Sequence, residues 1–179
     1  MIPPDLDVSY IPRFVPAAAE ILERAHSELP WDRRMTARQT ASSGLAYNYS
    51  GIEYPDVPMP TFVSELAARI VEVVGHPIAN CLANLYETGE SRMGFHSDSA
   101  AGVAPDTSTA IVSLGARRAL TFRAKTPDEH RYTIELESGS LLVMRAGVQE
   151  LFLHALLPSP GSALRISLTF RHILRDASG

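Results

Sequence analysis

The chain has 179 residues, of which 45% are hydrophobic and 20% charged, with a formal net charge of −4. This composition is typical of one globular domain with a sizeable core, and it excludes a disordered or fibrous protein. One cysteine excludes an internal disulfide and a cysteine metal cluster, and no apolar run is long enough to cross a bilayer. Because the first residues lack the basic start and apolar centre of a signal peptide, we expect a cytoplasmic protein. We also expect a monomer with no membrane partner.

Two helices are predicted in the first half of the chain. Residues 16–29 carry apolar side chains at helical spacing. Residues 60–77 show the same period; Pro60 suits the first helical position, and Gly75 and Pro77 end the pattern. We therefore expect both segments to pack one apolar face against a sheet.

After residue 80 the pattern changes to short segments rich in branched and aromatic residues and bounded by turns. Seven or eight such strands predict a β-sandwich or jelly roll, supported on one side by the two helices. The segments with this character are 81–88, 108–115, 118–125, 130–136, 139–146, 150–157 and 163–173.

The stretch GFHSDSA contains two good metal ligands, His96 and Asp98, two residues apart. On a strand, such residues point to the same face, and imidazole with carboxylate suits Fe(II), Mn(II) or Zn(II). An isolated H-x-D triplet is more often an incidental pair on a polar surface. A third ligand is therefore needed before a metal site is indicated.

His154 is the histidine that can complete the set, because it lies in the apolar segment ELFLHALLP. Considered alone, it fits a half-buried core histidine equally well. Together with His96 and Asp98 it would form a two-histidine, one-carboxylate site. Such a site binds Fe(II) on one face and leaves three coordination positions open for a cosubstrate and O₂.

The final strand contains RISLTFR, in which Arg165, Ser167 and Arg171 alternate with apolar residues. If the polar face of this strand lines the interior, its two guanidinium groups need anionic partners, although a solvated strand face is the common alternative. A dicarboxylate near the metal would pair with both, which favours 2-oxoglutarate. On an earlier strand, Asn84 and Tyr86 lie two residues apart and could donate hydrogen bonds to the same carboxylates, or pack as ordinary strand residues.

In this order, the motifs resemble the AlkB family of Fe(II)- and 2-oxoglutarate-dependent dioxygenases. The resemblance covers nearly the whole chain, including YIPRFVPAAAEIL, PWDRR and GLAYNYSG in the first half. Its motifs are N-x-Y-x-x-G (84–89), H-x-D (96–98), IVSLG (111–115), GSLLVM (139–144), His154 and R-x-S-L-T-F-R (165–171).

The resemblance implies an α+β, mainly β fold, a double-stranded β-helix (jelly roll) with two N-terminal supporting helices. It implies a single dioxygenase domain over 1–179, with helices and a nucleotide-lid-like segment in 1–79 and the catalytic jelly roll in 80–175. By position, the catalytic metal ligands would be His96, Asp98 and His154. In the predicted 2-oxoglutarate site, Arg165 and Tyr86 contact one carboxylate of the cosubstrate, and Arg171 and Asn84 contact the other. Ser167 lies between the two arginines.

The activity that the resemblance implies is oxidative demethylation of N-alkylated bases in DNA or RNA, such as 1-methyladenine and 3-methylcytosine, as in DNA repair. Fe(II), 2-oxoglutarate and O₂ would be required, and formaldehyde, succinate and CO₂ would be released. Repair members flip the damaged base into a pocket. Here Tyr49 would stack on that base and Tyr47 would line the pocket, although both also fit ordinary aromatic packing. Arg38, with Arg33 and Arg34, would meet the phosphate backbone.

Two departures from the family pattern concern the substrate. An acidic base-reading residue commonly follows two positions after the metal aspartate, where this chain has Ala100, and QTASSG (39–44) has serines where many relatives have an aromatic residue. A second hypothesis is therefore a hydroxylase or demethylase of a small metabolite or a protein side chain on the same scaffold. A third is a jelly-roll binding module without catalysis, in which the ligand and arginine set would have no chemical role.

Overall fold

A computed structural model of the chain describes residues 5–47, 51 and 54–175. None of the helices in these ranges is both long enough and apolar enough to cross a membrane. The helices are α1 (Ala18–Glu28), α2 (Thr61–Val74) and the short α3 (Val148–Leu151). The strands are β1 (Val8–Ile11), β2 (Gln39–Gly44), β3 (Asn80–Tyr86), β4 (Met93–His96), β5 (Thr109–Gly115), β6 (Arg118–Ala124), β7 (Arg131–Leu136), β8 (Leu141–Met144), β9 (Phe152–Leu156) and β10 (Arg165–Arg171).

The strands form two antiparallel sheets. The major sheet has the order β1-β8-β5-β10-β3-β2, and the minor sheet has the order β4-β9-β6-β7. Two of the major strands, β1 and β2, come from the first 79 residues, so both halves of the chain build one sheet. The inner faces of the two sheets share one apolar core, which includes Ile111, Leu142, Leu120, Phe122 and Leu156.

Helices α1 and α2 pack on the outer face of the major sheet, as the sequence predicts. Phe62, Val63 and Ile70 of α2 have no exposed surface and share a core cluster with Cys81 of β3. Burying an apolar side chain of this size stabilises the folded state by about 1.5–3 kcal/mol. Helix α2 ends where Gly75 adopts the left-handed conformation, with φ 75°.

Strand β10 lies between β3 and β5, and all seven of its residues are buried. Its apolar residues, such as Leu168, join the core under the helices. Its polar residues line the interior between the sheets instead. Pairing sets their neighbours: Arg165 lies opposite Tyr86 and Gly115, and Ser167 lies opposite Asn84. The strand therefore carries two guanidinium groups into the interior, as its alternation predicts.

We expect Gly115→Ala to destabilise the fold by about 1–3 kcal/mol. Gly115 has φ 85°, and an added Cβ would lie 2.5 Å from the carbonyl oxygen of Leu164 and 3.4 Å from the Cα of Arg165. Gly147→Ala is the matched control, because no atom lies within 4 Å of its added Cβ. Urea unfolding measures both free energies. Equal stability of the two variants would contradict the strain assigned to Gly115.

Candidate metal and cosubstrate site

The two candidate histidine ligands face each other across neighbouring strands of the minor sheet. His96 of β4 pairs with His154 of β9, and their ring centroids are 4.3 Å apart. The Nδ1 atom of His96 lies 2.9 Å from the carbonyl oxygen of Gly94. Because a carbonyl only accepts, Nδ1 carries the proton in the neutral ring and Nε2 presents its lone pair to the site.

Asp98 reaches the site from a loop rather than from the strand, because β4 ends at His96. Its Oδ1 atom lies 3.4 Å from His96 Nε2 and 3.8 Å from His154 Nε2. One ligand atom from each of the three residues lies within 4.8 Å of the others. Adjacent ligand atoms on one ion with bonds of about 2.1 Å lie about 3 Å apart, so small side-chain movements would suffice to hold a metal.

The second carboxylate oxygen of Asp98 accepts hydrogen bonds from two side chains. Arg171 Nη2 lies 2.7 Å from Asp98 Oδ2, and Gln149 Nε2 lies 3.3 Å from the same atom. The backbone N–H of Asp98 donates to Gln149 Oε1 at 3.1 Å. The guanidinium group of Arg171 also lies over the ring of Tyr47, 4.5 Å from its centroid. These contacts leave Oδ1 as the oxygen that faces both imidazole rings.

The electrostatics favour the protonation states that bind a metal. Burial opposes the ionised form of Asp98, but Arg171, His96 and His154 outweigh it and hold the pKa of Asp98 well below its ordinary value. Burial also lowers the pKa of His154 to about 4. At neutral pH the site therefore offers an ionised carboxylate and a neutral imidazole, so a metal displaces no proton from either group.

The other end of the cleft carries a buried cation. Arg165 is 2% exposed, and its Nη2 atom donates to Ser113 Oγ at 2.9 Å. Its guanidinium group lies 5.3 Å from the ring centroid of Tyr86, and burial lowers its pKa to about 10. Its Nε atom is buried without a hydrogen-bond partner, and no carboxylate in the described part of the chain lies within salt-bridge distance of it. A buried guanidinium in this state fits an anionic ligand.

One cleft connects the two ends. The three candidate metal ligands lie at one end and Arg165 lies in the same wall as Arg171. The predicted cosubstrate residues Asn84, Tyr86, Arg165, Ser167 and Arg171 all line it. The structure thus brings together every metal and cosubstrate residue that the sequence predicts, and their functional roles remain predictions.

Two of the residues predicted to contact the substrate, Tyr47 and Arg38, are buried. Tyr47 is 2% exposed, donates to the carbonyl oxygen of Ser99 at 3.2 Å and packs against the guanidinium group of Arg171, and its role in lining a base pocket stays a prediction. Arg38 is buried, with Nε donating to Asn84 Oδ1 at 2.8 Å. The buried position of Arg38 therefore does not fit the predicted contact with a phosphate backbone. Tyr49 lies outside the described residues.

Two polar residues near the site, one half-buried and one buried, were not among the predicted ligands. One is Gln149, which has no motif of its own in the sequence. The other is Arg118, which is 1% exposed and donates to the carbonyl oxygen of Leu157 at 2.6 Å. The alternation of β6 gives the signal for Arg118, since it shares the inward face with Leu120 and Phe122.

Comparisons with known proteins match both the sequence and the fold. The family model described as the 2OG-Fe(II) oxygenase superfamily matches residues 8–171. Rat alpha-ketoglutarate-dependent dioxygenase alkB homolog 3 is 31% identical over 89% of this chain and 61% of its own length. Mouse DNA oxidative demethylase ALKBH2 is 34% identical over 74% of this chain and 59% of its own length. The chain thus spans about three fifths of the length of these two relatives.

Solved structures show the same double-stranded β-helix fold. The structure of OsALKBH1 matches with a TM-score of 0.70 at 14% identity, covering 96% of this chain and all of that one. A Pseudomonas putida prolyl-4-hydroxylase matches with a TM-score of 0.59 at 20% identity, covering 94% and 93% of the two chains. The predicted fold class is therefore confirmed. With the family model matching residues 8–171 and relatives of the alkB type, the chain belongs to the 2OG-Fe(II) oxygenase superfamily and, within it, to the AlkB family.

Proposed function

We propose that this chain is an Fe(II)- and 2-oxoglutarate-dependent dioxygenase that removes alkyl groups from N-alkylated bases in DNA or RNA. The observation that carries the proposal is the arrangement of one cleft. Two imidazoles and one carboxylate converge at one end, and a buried guanidinium that pairs with no carboxylate of the described residues lies along the same wall. A metal ion would fit the end with the three ligands, and a carboxylate of a bound dicarboxylate would fit the end with the guanidinium group.

The donor set fits Fe(II). Two imidazole nitrogens and one carboxylate oxygen form the facial set that leaves coordination positions open on a non-haem iron. His96, Asp98 and His154 would hold the ion. When bound, Fe(II) with 2-oxoglutarate and O₂ supplies hydroxylation of a C–H bond, and 2-oxoglutarate leaves as succinate and CO₂. A hydroxylated N-methyl group then breaks down to formaldehyde and the free nitrogen.

The protein's own residues would orient the cosubstrate by its two carboxylates. Arg165 would pair with one carboxylate, with Tyr86 packed beside its guanidinium group. Arg171 and Asn84 would contact the other near the metal end. Because Arg171 also holds Asp98, the same guanidinium group would couple cosubstrate binding to the position of the metal ligand.

The nucleic-acid substrate is supported by the relatives rather than by the cleft, since the mouse relative is a DNA oxidative demethylase by name. Arg33 and Arg34 are exposed and remain the candidates for phosphate contacts, although Arg34 pairs with Asp32. The alternative substrate, a small metabolite or a protein side chain, is favoured by two observations. Ala100 places a neutral side chain on the loop after the metal aspartate, and Tyr47 is buried against Arg171.

Anaerobic loading with Fe(II) followed by exposure to O₂ should yield equal amounts of succinate and formaldehyde from oligonucleotides that carry 1-methyladenine or 3-methylcytosine. Asp98→Ala should abolish both products, because the charged metal ligand is lost. His130→Ala is the matched control, since His130 lies outside the cleft, and it should retain activity. Turnover of 2-oxoglutarate without formaldehyde from any oligonucleotide would favour the alternative substrate. Unchanged turnover in Asp98→Ala would contradict the assigned metal site, and the absence of 2-oxoglutarate turnover in the unaltered protein would leave only a binding module.

Arg165→Met should weaken 2-oxoglutarate binding by about 10- to 100-fold, the loss expected for a buried hydrogen-bonded charge pair of about 1.5–3 kcal/mol. The readout is the KM for 2-oxoglutarate, with kcat as the second value. Arg117→Met is the control, because the side chain of Arg117 is 65% exposed and pairs with Glu135 on the surface. Equal KM values for the two variants would remove Arg165 from the cosubstrate site.

The metal-free protein should lose about 2 kcal/mol of unfolding free energy through His154 as the pH falls from 7 to 5. The ordinary pKa of histidine is 6.5, and burial lowers that of His154 to about 4. Between these values the unfolded chain binds a proton that the folded chain does not, so stability rises with pH. Urea unfolding in chelator measures the difference. His154→Gln should show a shallower slope, and an identical slope would contradict the buried neutral imidazole.

A further inference from the structure

We propose that Gln149 is a positioning residue for Asp98, which it holds in the orientation that binds the metal. The inference rests on the proposed function, because it assigns a role within the same metal site. Gln149 lies on α3, between β8 and β9, and belongs to none of the motifs that indicate the cofactor site.

Both ends of the Gln149 amide contact Asp98. Gln149 Oε1 accepts from the backbone N–H of Asp98 at 3.1 Å, and Gln149 Nε2 donates to Asp98 Oδ2 at 3.3 Å. The first contact fixes the backbone of the loop and the second fixes the rotation of the carboxylate. Since an amide offers an acceptor at one end and a donor at the other, this pair of contacts also fixes the orientation of the amide itself.

Asp98 needs such support because no strand pairing reaches it. The ladder between β4 and β9 ends with the pair His96 and His154. Beyond that pair, the loop is tied to α3 by Ser97, whose Oγ atom lies 3.0 Å from the carbonyl oxygen of Gln149. Lys125 Nζ donates to the same carbonyl at 2.8 Å. The backbone of Gln149 is therefore anchored, so its side chain acts from a fixed base.

The two oxygens of Asp98 are used differently. Oδ1 faces the imidazoles of His96 and His154, whereas Oδ2 accepts from Arg171 and Gln149. Two donors on Oδ2 hold the carboxylate so that Oδ1 points to the metal position. Hydrogen-bond partners that orient a metal ligand typically change metal affinity by about 10- to 100-fold when they are removed.

Gln149 acts through Asp98 and not on the cosubstrate. It does not line the cleft that contains Arg165. It lines a second cavity, which Asp98 and Arg171 also border. Asp98 and Arg171 line both cavities, whereas Gln149 lines only the second of the two. A change at Gln149 is therefore expected to alter metal affinity without removing a cosubstrate contact.

The test is Mn²⁺ binding to the metal-free protein, measured by electron paramagnetic resonance in the absence of 2-oxoglutarate. Gln149→Met keeps the length of the side chain and removes both hydrogen bonds, and Gln149→Ala is the second variant. We expect each to raise the Kd for Mn²⁺ by about 10- to 100-fold. Leu151→Ala is the matched control on the same helix, because Leu151 is 60% exposed, and its Kd should stay within about twofold of the wild type.

Thermal melting of the metal-free proteins separates positioning from general stabilisation. Weaker Mn²⁺ binding by a Gln149 variant that still melts cooperatively supports the positioning role. A lower melting temperature with a Kd within about twofold of the wild type would overturn it, because Gln149 would then stabilise only the fold. Failure of the wild type and Leu151→Ala to bind Mn²⁺ would overturn the proposed metal site itself, and with it this inference.

Discussion

The ion pair between Arg171 and Asp98 joins an inner strand of the major sheet to the loop that follows β4 of the minor sheet. Both side chains are buried, with exposed fractions of 3% and 8%. A buried ion pair is stable only when its remaining hydrogen-bonding groups are satisfied, and removing one partner typically costs about 3–5 kcal/mol. The candidate metal site depends on this pair, because Asp98 is the one ligand that no strand holds in place.

The interior of the protein carries more positive than negative charge, which suits the proposed dicarboxylate cosubstrate. Three guanidinium groups, those of Arg118, Arg165 and Arg171, are at least 97% buried. Asp98 is the carboxylate that pairs with one of them, and within the described ranges none contacts the other two. A bound dicarboxylate brings two negative charges to this region. Binding of the dicarboxylate is therefore expected to stabilise the fold, by an amount that rises with the logarithm of its concentration relative to its Kd.

The sequence predicts structure and site residues best where a regular spacing of apolar residues coincides with side chains of distinctive chemistry. The alternation of β10 predicts the inward guanidinium groups, and the apolar stripe of residues 60–77 predicts α2. The sequence does not predict β1 or β2, because β1 is short and β2 is rich in small residues, whose burial comes from pairing with β3. Local pattern carries no signal for such pairing.

The same limit explains the site residues that the sequence did not place. His96, Asp98 and His154 were found because their chemistry is distinctive, although Asp98 reaches the site from a loop. Gln149 was not found, because an amide is common on protein surfaces and its contact with Asp98 spans 51 positions of the chain. The interior positions of Arg38 and Tyr47 likewise follow from tertiary packing and not from local sequence.

The position of Cys81 has a chemical consequence for a protein proposed to act on methylation damage. This cysteine lies on β3 under α2, is 2% exposed, and has a pKa raised to about 12 by burial. Alkylating agents and peroxides attack the thiolate, which is scarce at such a pKa and shielded from solvent here. The folded chain therefore offers electrophiles no reactive sulfhydryl, and it is expected to keep its only thiol intact under the conditions that damage nucleobases.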